Sequence, residues 1–170
     1  MILRPATKND VYALARLGRE SFEVKFGHLY KPEDLEGFLE QVYSERSIAE
    51  DIANPDRQHC LAEESGRLVG YCKLGLKSSY AEHSDAARPL DLMQLYTDPE
   101  MTGRGIGAKL MDWTLAEARR LNADAILLSV FSENVGAQRF YERFGFRKIA
   151  DIFFWVGSHR DDEFLFELKL

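Results

Sequence analysis

Three glycines at alternate positions, Gly103, Gly105 and Gly107, are separated by Arg104 and Ile106. Behind them Leu110, Met111, Thr114, Leu115, Ala118 and Leu121 recur at helical spacing, so the glycines open a helix. Missing Cβ atoms let backbone N–H groups come close to a ligand. The first turn of a helix leaves its N–H groups unpaired, and the helix dipole favours negative charge there. Such a stretch can cradle a phosphate or pyrophosphate. The alternative is a tight turn, for which one Gly suffices. Gly103 to Ala108 also fits the dinucleotide fingerprint G-x-G-x-x-A. Two features oppose that reading. The fingerprint follows its strand almost at once, whereas Asp98 to Thr102 intervene here. It also wants an acid after the next strand, whereas Asp124 precedes the run Ala125 to Val130.

A second stretch, Asn134 to Phe146, follows a strand and reads as a short helix ended by Gly145. Together the two stretches resemble the GNAT superfamily of acetyl-CoA-dependent N-acetyltransferases. The family's second motif, N-x-x-A-x-x-x-Y-x-x-x-G-F, is matched at Asn134, Ala137, Tyr141, Gly145 and Phe146. Its first motif, Q/R-x-x-G-x-G/A, is matched at Gly105 and Gly107 and departs at the leading position, which is Thr102. The N-terminal half more loosely resembles the bacterial spermine/spermidine acetyltransferase branch.

The resemblance implies an enzyme that carries acetyl from acetyl-CoA to a primary amine, with a polyamine as the first guess. Acetyl-CoA would be a co-substrate, with no metal. Tyr141 would protonate the departing sulfur, or else is a packing residue of an amphipathic helix. Leu95, Tyr96 and Thr97 would meet the pantetheine arm, acting through backbone as an unpaired strand edge accepts another strand. Thr102, Gly103, Arg104, Gly105, Ile106, Gly107 and Ala108 would form the pyrophosphate loop. Asn134 would cap its helix, contact the coenzyme, or do both. The acceptor side is less determined: Glu23, His28 and Asp91 are its candidates, with Glu33 and Asp34 nearby. All of these acids could equally form a solvated face. An acyl-CoA-binding module without catalysis, or an acetyltransferase for a protein amine, are the rival readings.

Acetyl transfer needs a neutral amine, a stabilised carbonyl oxygen and a protonated leaving thiolate. Holding the reactants together supplies much of the acceleration. No Ser–His–acid order and no metal-ligand spacing can be read from the chain.

The elements that must position these residues follow from local signals. Thr7 with Asp10 marks a helix start, and Val11, Leu14, Ala15, Gly18, Phe22 and Phe26 mark one face of that helix. Pro32 opens another helix, and Ser47 to Ala53 a third. Strands are expected at Ile2 to Ala6, His59 to Glu63, Leu68 to Leu74, Leu90 to Thr97, Ala125 to Val130, Phe146 to Val156 and Phe164 to Leu170. Ser78 to Pro89 reads as a surface loop. The order implies an α/β (α+β) fold with a mostly antiparallel central sheet, helices on both faces and one parallel pair. The GNAT resemblance adds that the two central strands splay apart around the coenzyme.

At 170 residues one domain over 1–170 is expected. A net charge of −6 without a basic stripe disfavours nucleic acid and would steer a cationic substrate. No apolar run approaches the roughly 18 residues of a membrane span, and the N-terminus has no secretory segment, so the cytoplasm is expected. A two-residue turn at Ser65–Gly66 would set Cys60 opposite Tyr71, placing Cys60 and Cys72 on opposite faces as free thiols. The aromatic run Phe153, Phe154, Trp155 is expected to be buried in a core or an interface, and is compatible with a homodimer.

Overall fold

A computed structural model describes residues 1–170. The strands are β1 (Ile2–Pro5), β2 (Arg57–Glu64), β3 (Arg67–Gly75), β4 (Pro89–Thr97), β5 (Ala125–Phe131), β6 (Arg147–Val156) and β7 (His159–Lys169). The helices are α1 (Val11–Phe26), α2 (Pro32–Tyr43), α3 (Glu45–Ala53), α4 (Ile106–Arg120) and α5 (Val135–Arg143). One seven-stranded sheet runs in the order β1-β2-β3-β4-β5-β7-β6. Every pair is antiparallel except β4–β5.

The parallel pair is the hinge of the architecture. β4 and β5 pair only at Pro89–Ala125, Leu90–Ile126 and Asp91–Leu127. Beyond Asp91, β4 continues to Thr97 and β5 to Phe131 without meeting. On its other side β4 stays paired with β3 as far as Thr97. Lys73 faces Gln94 while Leu74 faces Leu92, so Met93 is an extra residue in β4. A bulge bends the strand that carries it, and here it sits where the two central strands part. The unpaired groups of Leu92 to Thr97 therefore edge a cleft in the sheet.

Two apolar clusters fill the two faces. One packs α4 on Cys60, Cys72, Leu92, Leu128 and Phe166. The other packs α1, α2 and α3 on Leu61, Tyr71 and Val156. α1 begins where the sequence signals it. Thr7 accepts from Asn9 N–H at 3.3 Å, and the Asp10 carboxylate accepts from Thr7 N–H at 2.8 Å, a capping box. At Gly18 the helix lies so close to its neighbours that an added Cβ would stand 2.6 Å from the Tyr43 ring.

Three expectations are corrected. Val69 is an extra residue in β3, because Ala62 faces Gly70 while Glu63 faces Leu68. The slip of one residue puts Cys60 directly opposite Cys72 on the same face, both free and buried. The Cys60 thiol is held protonated by its hydrogen bond to the Cys72 sulfur and by burial. Second, of the core and interface alternatives for Phe153, Phe154 and Trp155, the core falls, since on the edge strand β6 they are 59%, 42% and 55% exposed. Third, the last strand begins at His159 and includes Asp161 and Glu163. No helix is long and apolar enough to cross a membrane.

Candidate active site

The loop before α4 is built from its turn upward. Asp98 is buried and caps the turn at Pro99–Met101, accepting from Glu100 N–H at 2.9 Å. It also takes the Arg67 guanidinium from the adjacent strand. These bonds explain the residues between strand and glycines that a dinucleotide fingerprint would lack. Asp124, the acid that fingerprint would place after the strand, instead accepts from the N–H groups of Ala87 and Arg88 at 2.7 and 2.8 Å.

Gly103 and Gly105 have φ of +78° and +77°, a backbone that only glycine adopts readily. No heavy atom lies within 4 Å of a Cβ built on either, so their Cβ side is open. Gly105 is the N-cap of α4, and the first N–H groups of that helix follow it. Ile106 buries its side chain in the core, leaving its backbone to the loop. Arg104 is exposed and pairs with Glu64 at 3.2 Å. Thr102 is exposed and its hydroxyl leans back to the Pro99 carbonyl at 3.5 Å.

Across the cleft, the β5–α5 turn is pinned by Gln138, whose side-chain amide donates to the carbonyls of Phe131 and Ser132 at 3.2 and 2.9 Å. Asn134 is the N-cap of α5, accepting from Ala137 N–H at 3.3 Å. Two turns further on, Tyr141 packs edge-on against Phe146, ring centroids 5.8 Å apart. Burial raises its pKa above the ordinary tyrosine value, so its hydroxyl is protonated at neutral pH.

A cavity of about 740 Å³ joins the β4 edge, the β5–α5 side and the start of the loop at Pro99 and Thr102, with Gly103 to Ala108 outside its lining. Leu95, Tyr96, Thr97, Thr102, Asn134 and Tyr141 line it. Phe22, Phe26, Tyr30, Phe38 and Phe154 line it also, as an aromatic portion. Of the three acceptor candidates, only Asp91 reaches the cavity. It is 2% exposed, and its carboxylate already accepts from Ser78 Oγ at 2.6 Å and from Ser79 N and Oγ at 2.8 Å. It therefore fastens the loop after β3. Glu23 and His28 are exposed and do not line the cavity. Asp34 is occupied by Ser158, accepting from its N–H at 3.1 Å and its hydroxyl at 2.6 Å.

Two acids that sequence reasoning passed over do line it, Asp161 and Glu163 of β7. Their signal was slight, since Arg160-Asp-Asp-Glu163 reads as a solvated charge run. The Tyr30 hydroxyl donates to Asp161 Oδ2 at 2.5 Å. Burial raises the Glu163 pKa, the neighbouring Ser129 hydroxyl counteracts it, and the charge on Asp161 adds to it.

The arrangement can pair an extended, amide-bearing chain along the free β4 edge, hold phosphates at the α4 N-terminus and donate a proton from Tyr141. Comparison with known proteins agrees. The family model described as Acetyltransferase (GNAT) family matches residues 23–146. An uncharacterized N-acetyltransferase of Mycobacterium tuberculosis is 30% identical over 161 residues, 95% of this chain and 98% of its own. The spermine/spermidine N(1)-acetyltransferase of Bacillus subtilis is 34% identical over 83 residues, 48% of this chain and 54% of its own. Among solved structures, the PaiA N-acetyltransferase of Thermoplasma acidophilum in complex with coenzyme A superposes with a TM-score of 0.80 at 23% identity, covering 99% of this chain and 98% of its own. With the cleft, the glycine loop and the family match together, the chain belongs to the GNAT family and is an acetyl-CoA-dependent N-acetyltransferase.

Proposed function

We propose that this enzyme acetylates a small primary amine, with a polyamine as its first acceptor, as a single cytoplasmic domain. One observation carries the reading. The same cavity that meets the free β4 edge and Tyr141 continues into an aromatic portion that also holds Asp161 and Glu163. Aromatic faces attract ammonium groups, and more strongly when both are desolvated. The Bacillus subtilis relative named for spermine and spermidine supports a polyamine, and a net charge of −6 would favour its approach.

In this reading the pantetheine arm lies along Leu95, Tyr96 and Thr97, making backbone hydrogen bonds as an added strand would. The pyrophosphate sits on the N–H groups of Gly103 to Ala108 at the start of α4. Thr102 lacks the reach of the longer Gln or Arg, so backbone donors carry that contact. Asn134 caps α5 and flanks the arm. The neutral amine attacks the thioester carbonyl, and Tyr141 hands its proton to the departing sulfur.

The test is release of free coenzyme A thiol from acetyl-CoA with a panel that includes spermidine, aromatic ethylamines and short peptides with free N-termini. Turnover with spermidine and weaker turnover with peptides is the expected result. Turnover with peptides alone would transfer the acceptor to a protein amine.

A further inference from the structure

Asp161 and Glu163 stand two residues apart on β7, so both side chains leave the same face of the sheet. Glu163 pairs with Phe131 at the end of β5, past the last β4–β5 pair. Asp91 pairs with Leu127, two residues before Ser129, so Asp91, Ser129, Glu163 and Asp161 share that face. The β7 acids thus enter the cavity from the half of the sheet opposite the free β4 edge.

Their charge is poorly compensated. Asp161 is 4% exposed, and its Oδ1 has no hydrogen-bond donor. The nearest side-chain nitrogen, His159 Nε2 at 3.2 Å, does not meet hydrogen-bonding geometry. Of the two lysines lining the cavity, Lys73 is committed to Asp51 at 2.5 Å, and Lys25, exposed on α1, makes no ion pair with either acid. Asp91 is saturated by Ser78 and Ser79. A buried carboxylate such as Asp161, with half-buried Glu163 beside it, is costly to keep without a paired cation.

We propose that Glu163 is the general base that takes the proton from the acceptor's ammonium, and that Asp161, held by Tyr30 on the same face of β7, is its positioning residue. The proposal rests on the amine-acceptor reading above. One ammonium proton passes to the Glu163 carboxylate, leaving a neutral amine. Its lone pair forms the C–N bond at the thioester carbonyl as the C–S bond breaks. The sulfur takes the Tyr141 proton, and the second proton of the attacking nitrogen restores that hydroxyl through solvent. One proton, shed later by Glu163, is released per turnover.

The groups facing Glu163 are Asp161 on its own strand, Tyr30 after α1, Tyr80 in the loop before β4, and Asp91 and Tyr96 on β4. Lys25 on α1, Lys73 on β3 and His159 beside Asp161 complete the set. Burial and the Asp161 charge raise the Glu163 pKa above the ordinary carboxylate value, and a base near its working pH is the more effective one.

The experiment is kcat and KM against pH for the intact protein with spermidine and acetyl-CoA, for wild type, Glu163→Gln and Asp161→Asn. Wild-type kcat should rise to a plateau along an acid limb above the ordinary carboxylate range. Glu163→Gln should lose about 10²–10⁴-fold in kcat. It should replace the plateau by a rate still climbing with pH as free amine accumulates, and keep its coenzyme A affinity. Asp161→Asn should move the acid limb to lower pH and raise KM for spermidine, with most of kcat retained. That shift reads out the proposal even if Glu163→Gln folds poorly. Undiminished kcat in Glu163→Gln, or a reduced kcat with an unchanged pH profile, overturns the base. An unmoved limb in Asp161→Asn overturns the positioning role. If wild type binds acetyl-CoA but acetylates no amine, the amine-acceptor reading falls and takes the base with it.

Discussion

Tyr141 sits where two demands meet: its ring packs against Phe140 and Phe146, and its side chain lines the cavity. The two roles separate in one variant. Tyr141→Phe keeps the ring and removes only the hydroxyl. Loss of a general acid costs about 10²–10⁴ in rate, so turnover should drop into that range. Affinity for acetyl-CoA should change little, since the hydroxyl acts chiefly in the transition state. The unfolding midpoint should stay near wild type. Normal turnover in that variant would reduce Tyr141 to a packing residue. Tyr141 and Asn134 were legible because a fixed spacing on one short helix marks them. Asp161 and Glu163 were not, because nothing in Arg160-Asp-Asp-Glu163 distinguishes a solvated turn from a strand facing a cleft. Only the pairing of Glu163 with Phe131 makes that distinction.

Among the elements, the loop into α4 makes the strongest demand on residue type. Gly105→Asp would force a side chain into a left-handed backbone and place a negative charge at the α4 N-terminus. Calorimetry should find coenzyme A binding largely lost while unfolding stays cooperative; unchanged affinity would move the phosphate site elsewhere. The β2–β3 pair carries a pH-dependent contribution. His59 is 7% exposed opposite Lys73, and burial, then the Lys73 charge, lowers its pKa to about 4. A depressed histidine pKa stabilises the fold fully above its unfolded value, and the contribution is lost as pH falls toward the folded one. From about pH 6.5 to pH 5, stability should fall by about 1.5 kcal/mol on its account. Urea unfolding of wild type and His59→Gln at both pH values checks this, and equal slopes in the two proteins would refute it. Helix starts such as Thr7–Asp10 and Pro32 were readable because caps leave local signatures. The bulge at Val69 was not. β3 is buried on both faces from Val69 to Gly75, so no alternation records a slip of register. Gly70 beside the bulge is needed for another reason, since its Cβ would stand 2.8 Å from Ile106 of α4.

At the scale of the molecule, the sheet is two halves, β1 to β4 and β5-β7-β6, joined by three residue pairs at one end of the parallel strands. The open ends are left to a ligand. A coenzyme arm bonded to the β4 edge, with its phosphates on α4 and its thioester beside α5, would span both halves. Acetyl-CoA should therefore act as a structural tie as well as a substrate. A ligand at about 100 times its Kd adds about 2.7 kcal/mol of stability, which at about 2–4 °C per kcal/mol for a domain of this size raises the midpoint by about 5–11 °C. The location of the effect is the sharper test. Hydrogen exchange should slow on coenzyme A binding at the backbone amides of Leu92 to Thr97 that face the cleft. It should slow also at the glycine loop, with little change at the edge strand β1, none of whose residues lines the cavity. Gly105→Asp should abolish both the midpoint shift and the β4 protection together. Protection spread evenly over the chain would mean that the ligand stabilises by mass action alone, and that the free edge of β4 is not where its arm lies.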